Sequence, residues 1–151
     1  RHLLFQNNSA SFIAQCGAFI ERCNFFKLSD EEALLITGCD TVAMAANALR
    51  KKTSAVFTIT LGKEGTMLCI GDQIEIIKSI PVQPVDATGA GDAFVGAVLY
   101  QLNKRNVKDI NLVSMEDWKN IISNANKAGA RTCEYMGAME AFKHLNNSIF
   151  D

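Results

Sequence analysis

Apolar residues recur at spacings of three and four through Phe12, Ile13, Cys16, Phe19 and Ile20, which predicts an amphipathic helix over residues 9–23. The short aromatic run Phe25-Phe26-Lys27-Leu28 predicts a strand. Ser29-Asp30-Glu31-Glu32 then reads as a helix start, with Ser29 as N-cap and Glu32 three residues on completing a capping box; that helix should end at Gly38. An Ala- and Leu-rich run at residues 40–52 predicts another helix, and the β-branched run at residues 55–60 a buried strand. Residues 65–70 and 73–78 flank Gly71-Asp72 as a hairpin.

Pro81 and Pro84 bracket an extended connection into a glycine-rich turn at residues 89–91, where a helix opens with Phe94, Ala97, Val98 and Leu102 on one face. A further helix over residues 115–130, a turn at Gly137 and a last short helix over residues 138–145 complete the order. Strands alternating with helices, without repeats or linkers, read as one α/β unit.

Composition narrows the function. Fifteen basic against sixteen acidic residues, scattered rather than clustered, leave no field that would gather nucleic acid or an anionic membrane. No apolar run is long enough to span a bilayer and no signal segment opens the chain, so a cytoplasmic location is expected. Five irregularly spaced cysteines, with only His2 and His144 beside them, argue against zinc and for reduced, mostly buried thiols. The chain starts at Arg1 without Met, and Leu3-Leu4-Phe5 begins abruptly, which suggests a piece of a longer protein.

The chemistry concentrates at Gly89-Ala90-Gly91-Asp92. Small residues let the backbone turn tightly and gather N–H groups at a helix start, a place that binds anions. Asp92, one step beyond, could accept a proton from a hydroxyl while those N–H groups steady charge on a transferred phosphoryl. The same four residues are also explained by a carboxylate favoured in a helix's first turn and by glycines that merely pack closely. A dinucleotide fingerprint fits less well, because Gly89, Gly91 and Gly96 miss its spacing.

The longer stretch Asp86-Ala87-Thr88-Gly89-Ala90-Gly91-Asp92 resembles the Asp-Thr-x-Gly-Ala-Gly-Asp signature of the PfkB/ribokinase family of carbohydrate kinases, departing from it at Ala87. The resemblance implies a Rossmann-like, ribokinase-type α/β fold in which residues 1–151 form the C-terminal nucleotide-binding and catalytic part. The N-terminal sugar-binding half and lid would be absent. It implies Asp92 as general base, with Gly89, Ala90 and Gly91 as the anion hole. Thr60-Leu61-Gly62-Lys63-Glu64-Gly65 is similar to the family's Thr-Leu-Gly-x-x-Gly turn, which implies nucleotide contacts at Thr60, Gly62 and Gly65. Asn126 falls where relatives place a polar residue against the nucleoside, although a solvent-facing helix Asn reads equally well.

For metals, the family's Asn-x-x-Glu motif appears with Ser29 in place of Asn, which leaves a magnesium role for Glu32 beside its capping role. Asp86 and the Thr88 carbonyl, with Thr132, Tyr135 and the Gly137 turn, would form a site for a monovalent cation such as K+; Tyr135-Met136-Gly137-Ala138 resembles the family's Arg-x-Gly-Ala. The implied reaction is ATP- and Mg2+-dependent phosphorylation of a small sugar, fructose to fructose 6-phosphate. Lys27-Leu28-Ser29-Asp30-Glu31-Glu32 and Gly137-Ala138-Met139 look most like bacterial fructokinases. Other sugar or nucleoside kinases and a non-catalytic nucleotide-binding fragment are the alternatives. The chain alone, without an acceptor pocket, is expected to be inactive, and family dimers would form through the absent lid.

Overall fold

The computed structural model describes residues 9–150; His2 and the Leu3-Leu4-Phe5 start lie outside the described residues. In order these residues form α1 (Ser9–Ile20), β1 (Phe25–Ser29), α2 (Asp30–Thr37), α3 (Val42–Arg50), β2 (Val56–Thr60), β3 (Thr66–Ile70), β4 (Gln73–Ile77), α4 (Ala90–Lys104) and α5 (Met115–Thr132), with short 3-10 turns between and after them. The chain divides into two units. One comprises Arg1–Thr60 with Cys69–Ile74, the other Leu61–Leu68 with Glu75–Asp151.

In the first unit, α2 and α3 connect β1 to β2, which run parallel in register with Phe26 opposite Phe57. A parallel pair needs such a crossover because a tight turn can only reverse the chain. The rings of Phe26 and Phe57 stack with centroids 5.0 Å apart. The start of α2 is fixed as its sequence predicts: Ser29 Oγ accepts from Glu32 N, Glu32 Oε2 accepts from Ser29 N at 2.7 Å, and Gly38 closes the helix in the left-handed conformation. The hairpin tip belongs to this unit too, because Arg50 at the end of α3 donates to Gly71 O at 2.7 Å and to Asp72 Oδ1 at 2.6 Å. The sheet order is β1-β2-β3-β4. Val56, Phe57 and Ile59 are buried, with Ala33, Ala45, Ala46 and Leu49 of α2 and α3.

The second unit is organised by α4 packed along α5. Val98, Trp118, Ile121, Ile122 and Ala125 are fully buried. Gln101 lies buried among them and is satisfied: its amide donates to Ala97 O and Ile121 O, and its oxygen accepts from Asn124. Ser114 caps α5 by accepting from Asp117 N.

Two expectations change. The helix expected over residues 138–145 is instead a shorter 3-10 segment, Glu140–Lys143, preceded by a turn that holds Ala138 against Gly89. The cysteines are free, yet only Cys69 is buried, its thiol pushed up to about 12 by that burial; the other four are half-buried, and Cys23, Cys39 and Cys133 sit just beyond helix ends.

Packing between α4 and α5 should therefore carry much of the second unit's stability. Ile121→Ala should cost about 2–5 kcal/mol in urea unfolding. Leu112→Ala, at a side chain 83% exposed, should stay within roughly 0.5 kcal/mol of the parent.

Candidate active site

The chain enters the motif by a tie to the far end of α5. Val85 N and Asp86 N both donate to the carbonyl of Cys133, at 2.7 and 3.1 Å. The Asp86 carboxylate then joins two turns. Its Oδ1 accepts from Thr88 Oγ1 at 2.7 Å and Thr88 N at 2.9 Å, and its Oδ2 accepts from Gly137 N at 2.8 Å. These three donors, the Thr88 hydroxyl first, hold the Asp86 carboxyl below its ordinary value.

Gly89 follows as the N-cap of α4 with φ 85 and ψ −7, a left-handed conformation that glycine adopts freely. A Cβ here would stand 2.9 Å from Ala138 Cα and 3.0 Å from Ala138 O. The Gly137-Ala138 turn thus abuts the glycine turn, and only a residue without a side chain fits between them. On the other side, Gly129 of α5 brings its backbone to Ala90, where an added Cβ would meet Ala90 O at 3.1 Å.

Ala90 N donates to Ala87 O and Ala93 N to Gly89 O. The N–H groups of Gly91 and Asp92 have no partner among the described residues, as the opening turn of an α-helix leaves them. Asp92 is exposed, and no hydrogen bond or ion pair engages its carboxylate among the described residues. Free amides at the positive end of a fifteen-residue helix, next to a free carboxylate, can receive an anion and a proton side by side.

The remaining predicted residues of this unit divide by what occupies them. Gly62 (φ 58) begins a 3-10 turn, and Gly65 (φ 106, ψ −136) ends it in a region essentially closed to other residues; Leu61 N donates to Gly65 O at 2.8 Å. Asn126 is not solvent-facing. It is 6% exposed, and its side chain bonds Thr66, Ile77 O and Lys78 O. Thr132 turns its hydroxyl back to Ala128 O, and its carbonyl accepts from Tyr135 N. Tyr135 stacks on His144 with centroids 4.7 Å apart.

In the first unit, one oxygen of Glu32 is taken by Ser29 N, with Lys27 Nζ at 3.8 Å from it; among the described residues no hydrogen bond engages the other. Thr60 Oγ1 donates to Leu28 O at 3.4 Å. Among the described residues no group of three His, Cys, Asp or Glu side chains could hold a metal ion. A single half-exposed carboxylate suits magnesium that arrives with phosphate oxygens and keeps much of its water.

Two contributors escaped the sequence reading. The Cys133 carbonyl acts through its backbone, which side-chain identity cannot signal. Gly129 could have been flagged by being a glycine inside a helix, where close approach is the usual reason.

Residues 3–145 match the pfkB family of carbohydrate kinases, and the chain belongs to that family. It is similar to the fructokinase of Vibrio alginolyticus, with 34% identity over 121 residues that cover 76% of this chain and 36% of the relative. Among solved structures, it resembles the fructokinase of Vibrio cholerae O395 bound to fructose, ADP and calcium ion: TM-score 0.79, 27% identity, 94% of this chain and 43% of that one. It likewise resembles the aminoimidazole riboside kinase of Salmonella enterica complexed with aminoimidazole riboside and an ATP analog: TM-score 0.80, 28% identity, 95% and 48% covered. The α/β fold is therefore that of the ribokinase-type sugar kinases, and the chain spans less than half the length of these relatives.

The Asp86 bridge has an acid signature. A carboxyl with a depressed folded pKa contributes stability that is present above its unfolded value, ordinarily about 3.9, and is lost as pH falls through the folded value. Asp86→Asn should thus be less stable than the parent at pH 7, and the gap should close as pH falls below about 4 and through the lowered folded value. Asp117 and Glu140, also depressed, remain in both proteins and cancel from the comparison. Chemical unfolding of both proteins across that range checks it.

Proposed function

We propose that this chain is the C-terminal, nucleotide-binding and catalytic part of a kinase that moves the γ-phosphoryl of ATP to a primary hydroxyl of a small sugar, fructose foremost. The observation that carries the proposal is the opening of α4: two amides, at Gly91 and Asp92, and an Asp92 carboxylate that have no partner among the described residues, in a chain of this family. Phosphoryl transfer asks little covalent chemistry of a protein beyond positioning and charge stabilisation. In this reading the Asp92 carboxylate takes the proton of the attacking hydroxyl, and the amides of Gly91 and Asp92 hold the oxygens on which negative charge gathers, while the Ala90 amide is already spent on Ala87 O.

Glu32 is the carboxylate through which magnesium would be held by way of water, and the ion would supply neutralisation of the phosphate charge. Asp86 orders the Thr88 turn against the Gly137 turn, where backbone carbonyls could take a monovalent cation. Gly62 and Gly65 let the backbone of their loop approach a nucleotide. The sugar pocket would lie in a segment beyond this chain. A second acceptor is favoured by the likeness to the riboside kinase, because a riboside also presents a primary hydroxyl. Initial rates of the complete enzyme with fructose and with aminoimidazole riboside distinguish the two.

In the complete enzyme, Asp92→Asn should lower turnover by roughly 10²–10⁴ while leaving the dissociation constant for ATP little changed, the usual worth of a positioned general base. A folded variant that binds ATP and keeps most of its turnover would remove Asp92 as the base. Exchanging sodium for potassium at constant ionic strength should raise turnover, and equal rates in the two salts would leave the cation reading without support.

A further inference from the structure

We infer that Asn126 is a positioning residue that sets the loop at residues 61–65 without touching the nucleotide, an inference that rests on the nucleotide-site reading of that loop. Its buried side chain has little left to offer a ligand. Oδ1 accepts from Thr66 Oγ1 at 2.6 Å, and Nδ2 donates to Ile77 O at 2.9 Å and to Lys78 O at 3.4 Å. Both amide hydrogens are thereby spent on carbonyls at the end of β4.

The partners of Asn126 are the walls of the loop. Thr66, fully buried, directly follows Gly65. Gly65 itself lies so tightly on β4's end that a Cβ would run into Ile77 O and come within 2.8 Å of Lys78 Cα. Its carbonyl accepts from Leu61 N at 2.8 Å and its N–H donates to Gly62 O at 3.2 Å, so the loop closes on Gly65. One buried amide on α5 thus grips both strands at the point where the loop enters β3 and where β4 gives way to the segment leading to Asp86. If that grip loosens, the backbone groups of residues 61–65 lose their fixed direction, whichever base a nucleotide carries.

The test uses the full 151-residue chain, with Asn126→Ala removing the whole grip, Thr66→Val removing its β3 side and Thr66→Ser retaining the hydroxyl. Two quantities are read: amide hydrogen exchange residue by residue, and dissociation constants for Mg-ATP and Mg-GTP. Both disruptive variants should speed exchange at Leu61 and Gly65 by roughly five- to tenfold, the net worth of one hydrogen bond, while Val98 and Ile121 keep their rates. Both should weaken ATP and GTP by a common factor, leaving the ATP-to-GTP ratio unchanged, and Thr66→Ser should restore both readouts. Should Asn126→Ala fail to fold, Thr66→Val carries the test. Unchanged loop exchange in a folded variant overturns the inference, as does a shifted ATP-to-GTP ratio in Asn126→Ala alone, which would mark a contact to the base. A folded parent chain that binds neither nucleotide overturns the nucleotide reading of the loop, and the exchange rates at Leu61 and Gly65 then decide separately whether Asn126 sets the loop.

Discussion

The arrangement of the second unit depends on one carboxylate. Asp86 stands 51 residues before Gly137, yet it accepts hydrogen bonds from its own turn and from that distant one. Besides this carboxylate, the glycine turn and the Gly137-Ala138 turn meet at Gly89, where the absence of a side chain permits approach but supplies little attraction. An ionised acceptor bonded to two N–H groups and a hydroxyl is a stronger tie than a neutral one, because the negative charge strengthens each bond. The position of the helix start, and so the direction of its free amides, follows from that tie.

The second constraint is close approach between helices. Gly129 lets α5 come up to Ala90, the buried faces of α4 and α5 fill the space beyond, and Gln101 satisfies its polar groups across the same contact. A helix whose first turn must hold a charged group benefits from being fixed along its length, since a displacement of about an ångström can remove most of the benefit of positioning. Rigidity behind the turn and open amides at its tip belong to one design: the apolar face of α4 is committed to α5, and the polar end is left uncommitted.

Buried polar side chains do comparable work at the hairpin. Asn126 spans from α5 to the ends of β3 and β4. A polar side chain at a core position is stable only when its donors and acceptors are met, which makes it directional in a way that packed methyl groups are not. Directionality matters at Gly65, because its mirror-β conformation is open to glycine and a glycine's wide conformational freedom leaves the direction of the chain there to its neighbours.

Much of this was legible in the sequence because it is local. The capping box at Ser29 and Glu32, the Gly71-Asp72 hairpin and the apolar face of α4 each express forces acting within a few residues, and each element formed where its pattern lay. The signature at residues 86–92 likewise placed its glycine turn at the start of α4. Long-range partners were not legible. Nothing local to Asn126 separates a solvent-facing amide from one bonded to Thr66 and Ile77, because the difference lies in what packs over it. The Cys133 carbonyl is invisible for a related reason: every residue carries one, and only the folded chain decides which of them meets Val85 and Asp86. The sequence by itself thus determined the elements and the residue types gathered at the helix start, through short-range backbone preference and side-chain period. Tertiary structure alone decided which turns touch, which polar groups are used up in holding them, and which, like the amides of Gly91 and Asp92, are left free, since those outcomes depend on contacts between residues far apart in the chain.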